Sequence, residues 1–83
     1  MSPTVIKRTQ TGVRIESSLL KVLKGLAEYT DLTLGDLLEG IVLHAFEGKT
    51  PFAADTREVI KQLKVVYGCE LTAKDSHRLV EGE

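Results

Sequence analysis

Thr9-Gln10-Thr11-Gly12-Val13-Arg14-Ile15 is the stretch on which the fold turns. Its C-terminal half alternates apolar and polar residues, and Thr, Val and Ile favour extended backbone, so it predicts a short strand of period two. Val13 and Ile15 would share one face, with Thr11 in line behind them, and Gln10, Gly12 and Arg14 the other. No other stretch carries a strand pattern. A lone strand leaves its N–H and C=O groups without partners, and such groups must be satisfied. The expected partner is the same strand of a second copy of the chain.

Beyond Ile15 the periodicity becomes helical. A first helix is expected from Glu16-Ser17-Ser18, where a serine or the preceding turn caps the free N–H groups. Leu19, Val22, Leu23, Leu26 and Ala27 recur at spacings of three and four and form its apolar face, which Leu20 widens. Gly25 costs about 1 kcal/mol relative to Ala inside a helix and so marks a close helix approach. Thr30-Asp31-Leu32 breaks the pattern. A second helix follows Thr33, with Asp36 three residues on in a capping-box arrangement. Its stripe of Leu34, Leu37, Leu38, Ile41, Val42, Ala45 and Phe46 is wider than one modest helix can cover, which again suggests a core shared between subunits. Gly48 suits its C-terminal cap, and Pro51 prevents resumption.

The remaining sequence reads as two further helices. Asp55 and Glu58 form a capping-box-like pair ahead of Val59, Ile60, Leu63, Val66 and Tyr67, so residues 55–67 are expected to be helical, with Gly68 as the stop. Thr72 and Asp75 predict a last short helix through Leu79 and Val80. Three parts result: a flexible basic arm over residues 1–8, a strand-helix-helix domain over 9–50, and a C-terminal helical extension over 51–83.

Composition narrows the function. At 83 residues, 42% hydrophobic and 28% charged, the chain reads as one small soluble domain, marginal alone unless a disulfide, a metal or a partner subunit helps. The single cysteine, Cys69, excludes an internal disulfide, and His44 and His77 lack ligand-like spacing, so self-association is the expected aid. No apolar run approaches the roughly 18–20 residues that span a bilayer, and the N-terminus has no signal-peptide core, so a cytoplasmic protein is expected. Lys7, Arg8 and Arg14 give residues 1–15 a charge of +3 with no acid, leaving −4 to the rest of a chain whose net charge is −1. A dimer would concentrate +6 on one face, and such asymmetry points to an arm that meets phosphate. The plainer alternative is a solvated terminus.

The order of basic arm, single strand, helix, four-residue turn and helix resembles the Arc/MetJ/CopG-like ribbon-helix-helix family of DNA-binding proteins. The resemblance covers about Gln10 to Gly48 and rests on Val13-Arg14-Ile15, Leu26-Ala27-Glu28 and Leu32-Thr33-Leu34. It implies an intertwined homodimer whose antiparallel two-stranded ribbon lies in the major groove. Gln10 and Arg14 would then meet base edges, with Gly12 between them, since Gln pairs with adenine and Arg with guanine. Thr33-Leu34-Gly35 would offer helix N-terminal N–H groups to a phosphate, and Lys7 and Arg8 would add contacts that position without reading.

The expected function is therefore a sequence-specific transcriptional regulator of repressor type. Two alternatives stand beside it. One is a dimeric interaction module that has lost DNA binding, which the acidic Asp31 and Asp36 allow. The other is the antitoxin of a toxin–antitoxin pair, with residues 53–80 available to a protein partner. His44 reads as a helix-surface or interface residue, and Cys69 as a small residue at the edge of packing. No phosphate-binding glycine loop, metal cluster or paired-carboxylate signature is present, so neither a catalytic site nor a cofactor is expected.

Overall fold

The computed structural model describes residues 3–82, and three α-helices and one short 3-10 turn make up its regular structure. Helix α1 spans Ser17–Thr30, α2 Leu34–Phe46 and α3 Ala54–Val66, and the turn covers Ala73–Asp75. No strand occurs among the described residues, so the ribbon-helix-helix arrangement expected from Thr9–Ile15, with its strand paired across an intertwined homodimer, is not supported. Residues 3–15 make no backbone–backbone hydrogen bond among the described residues. A strand is defined by its ladder, and the pattern at 9–15 has no pairing partner among the described residues. Of the basic arm expected at 1–8, Met1 and Ser2 lie outside the described residues.

The start of α1 shows how local chemistry sets a boundary. Glu16, and neither serine, is the cap: its carboxylate accepts from the N–H groups of Ser18 (3.1 Å) and Leu19 (2.9 Å) and from Ser18 Oγ (2.6 Å). These bonds hold the Glu16 carboxyl below its ordinary range, the Ser18 hydroxyl contributing most and the Leu19 N–H next. At α2, Thr33 Oγ1 accepts from the Asp36 N–H at 3.1 Å as expected. The reciprocal half of that box is missing, because the Asp36 carboxylate is engaged with Arg8 instead.

All three helices end on a left-handed residue, at Asp31 (φ 57°), Gly48 (φ 68°) and Gly68 (φ 66°). In each the next residue's N–H reaches back to a carbonyl five positions earlier: Leu32 to Ala27, Lys49 to His44 and Cys69 to Lys64. Together with the shorter bonds Asp31 to Glu28, Gly48 to Ala45 and Gly68 to Val65, these complete Schellman motifs that satisfy the last carbonyls.

Two C-terminal expectations need correction. Helix α3 begins at Ala54 behind Ala53, which provides no side-chain cap, and Asp55 bonds only the Thr56 N–H, so no Asp55–Glu58 box forms. The true capping box is Thr72–Asp75, but it opens one 3-10 turn and no helix. Ser76 (ψ 132°) and His77 (φ 64°) leave helical space, and Leu79 and Val80 are exposed. A one-turn nucleus with no apolar face to bury does not propagate.

Packing centres on α1, against which α2 and α3 both lie while their own backbones stay apart. Leu26, Ala27 and Leu37 form the buried cluster, and Leu23, Ile41, Phe52, Val59, Ile60 and Leu63 pack around it. Gly25 is the close approach expected of it: a Cβ there would stand 3.2 Å from Leu63 Cδ2 and 3.5 Å from the Tyr67 ring. Val22 and Cys69 are the other buried residues among those described. This core is small. The chain exposes 7380 Å² of surface, whereas a compact folded chain of its mass exposes about 4,900 Å². Its radius of gyration is 14.2 Å, against about 12 Å for a compact domain of this length.

Candidate functional site

Residues 7–13 run beside the first half of α2 and enclose with it an open groove of about 740 Å³. Lys7, Arg8, Gln10, Gly12 and Leu34 all line it, so five of the residues singled out in the sequence meet at one place. Leu20, Gly35 and Leu38 add an apolar floor. Segment 3–14 is exposed throughout, and only Ile15 is half-buried. Thr33 stands outside the groove as the α2 cap, and Arg14 turns away to pair with Glu81 near the C-terminus.

Arg8 is the best-held side chain of the segment. Its Nε donates to Glu39 Oε2 at 3.0 Å and its Nη2 to Glu39 Oε1 at 2.9 Å, a two-pronged pairing. The same Nη2 donates to Asp36 Oδ1 at 3.0 Å. Asp36 and Glu39 lie three residues apart on α2, so one helical face presents both carboxylates to one guanidinium. The pairing raises the Arg8 pKa, chiefly through the Glu39 hydrogen bond, and holds the Glu39 carboxyl below its ordinary range for the same reason. Lys7 has no ion-pair partner among the described residues.

Sequence reading missed this clasp. Its partners are 28 and 31 residues apart, and the capping box with Thr33 already gives Asp36 a local role. The one available signal was the pair of acids at i and i+3 on a helix otherwise rich in Leu, Ile and Val.

A second feature lies on the outer face of α2. Val42, Leu43 and Phe46 are 43%, 60% and 81% exposed, although the wide stripe read in the sequence suggests burial for Val42 and Phe46. His44 is exposed on the same helix, its Nδ1 2.7 Å from the Gly40 carbonyl oxygen. Cys69 is a buried free thiol, deeper than the edge position expected. No helix among the described residues is long and apolar enough to cross a membrane. Comparison with family models, with curated proteins and with solved structures finds no match to the chain.

Proposed function

We propose that the chain is a cytoplasmic DNA-binding regulator that acts as a homodimer, with residues 3–15 as its DNA-contacting segment. The observation that carries the reading is the juxtaposition at the groove: an exposed segment bearing Lys7, Arg8 and Arg14 and no carboxylate lies beside the N-terminal half of α2. Lys7 and Arg8 supply phosphate contacts, while Gln10 and Arg14 carry the side chains suited to adenine and guanine edges. The dimer is supported by the surplus surface, on the order of 2,500 Å² per chain beyond a compact monomer. A second copy seated on Val42, Leu43 and Phe46 accounts for apolar side chains that water otherwise meets.

One observation favours a second reading, a dimeric interaction module without DNA. Arg8 and Arg14 are already answered by Asp36, Glu39 and Glu81 of the same chain. Selection from a random duplex pool at two salt concentrations separates the two. The regulator enriches a sequence; Lys7→Ala weakens binding to all duplexes alike and flattens the log–log salt dependence by about one unit. Gln10→Ala relaxes preference at one position. No enrichment, with no salt-dependent binding, overturns the DNA reading in favour of the module.

A further inference from the structure

Arg8 meets Asp36 and Glu39 as it would meet phosphate. A guanidinium forks onto carboxylate and phosphate oxygens with the same planar two-pronged geometry, and here all three of its short contacts are to carboxylates of α2. Arg14 pairs with Glu81 through a single, more exposed contact. We propose that these carboxylates form an internal gate that holds Arg8 and Arg14 closed to anions, and that a dense polyanion opens the gate by displacing the carboxylates from them. The proposal deepens the DNA reading and rests on it for the identity of the polyanion.

The location of the clasp fits a gate better than a structural pin. Arg8, Asp36 and Glu39 are each about half exposed, so water and salt reach the pairing and keep it weak. A free monovalent anion offers Arg8 a single charge, through two prongs at most, in exchange for three contacts to two carboxylates. A phosphate lattice presents charges to Lys7, Arg8 and Arg14 at once and gains from released counterions, so only a multivalent anion recovers what the clasp gives up. Asp36 and Glu39 also impose a selectivity cost: any polyanion at the groove must move Arg8 away from them or meet their repulsion.

The test uses the full chain, with Asp36→Asn/Glu39→Gln in both the wild-type and the Arg8→Ala background. The probes are a random-sequence duplex and a long-chain inorganic polyphosphate, at low salt. In the wild-type background, neutralising the acids should tighten binding by about three- to tenfold. In the Arg8→Ala background the gain should shrink to the part that removes the acids' own repulsion, because there is no arginine left to release. Without any anion, amide relaxation at residues 5–12 should show faster motion in Asp36→Asn/Glu39→Gln. An equal gain in both backgrounds means plain charge repulsion and overturns the gate, as does unchanged motion of the segment. Tightening toward polyphosphate with no duplex binding by any variant keeps the gate and overturns the DNA reading. Binding of neither probe overturns both.

Discussion

Asp31 closes α1 at φ 57°, a backbone region that costs an L-residue with a Cβ and that glycine enters freely. The two other helices place Gly48 and Gly68 at the equivalent position. Asp31→Gly should therefore raise stability by about 0.5–1 kcal/mol, read as a later denaturation midpoint with an unchanged slope. Thr33 is the opposite case, since its Oγ1 supplies an acceptor that the α2 N-terminus needs. Thr33→Ala should cost about 1 kcal/mol and Thr33→Ser should recover most of it. Glu16 and Glu39 both have folded pKa values below the ordinary 4.5. A depressed carboxyl contributes stability that is fully present above the ordinary value and is lost as pH falls through the lower, folded one. The stability difference between wild type and Glu16→Gln should thus be largest above pH 4.5 and shrink on acidification below it. A difference that grows on acidification would mean that Glu16 does not cap α1 as a carboxylate.

At the scale of elements, α1 is the support on which the other two helices rest. Leu26 is 2% exposed, and Ala27 and Leu37 complete the buried cluster with it. Leu26→Ala should cost about 2–5 kcal/mol, within reach of the whole stability of a domain this small. Val59, Ile60 and Leu63 of α3 cover that cluster, so truncation after Gly48 should leave a chain without cooperative unfolding. Gly25→Val tests the α1–α3 contact from the other side. The branched side chain has no room 3.2 Å from Leu63, and hydrogen exchange should rise in α3 more than in α2.

For the whole molecule the question is what covers α2. If the second copy does, the unfolding midpoint should rise with protein concentration through mass action, and sedimentation should return twice the chain mass. Leu43→Lys and Phe46→Ser are informative because both side chains are exposed within one chain. In a monomer such changes would fall within about 0.5 kcal/mol, the usual range for surface sites. In a dimer they should dissociate it and remove the concentration dependence. A midpoint that stays constant across two decades of concentration would leave the α2 face as solvent-exposed surface and end the dimer proposal.

The helices were legible from the sequence because their signals are local. Apolar spacing placed α1, α2 and α3, Thr33 capped α2, and Gly48 and Gly68 stopped their helices where glycine alone turns left without strain. Even Gly25 announced a close approach by being a poor helix former in a helix interior. What failed needed information from outside the segment. Thr9–Ile15 has the composition of a strand, but a ladder requires a second backbone, and none pairs with it among the described residues. Thr72–Asp75 has a complete capping box, yet a helix also requires a face to bury. The candidate site divides along the same line. Residue types marked Lys7, Arg8, Gln10, Gly12 and Leu34, whereas only the tertiary structure gathered them around one groove and set Arg8 against Asp36 and Glu39. Charge pairing across 28 and 31 residues depends on where α2 lies, and no periodicity within the chain encodes that.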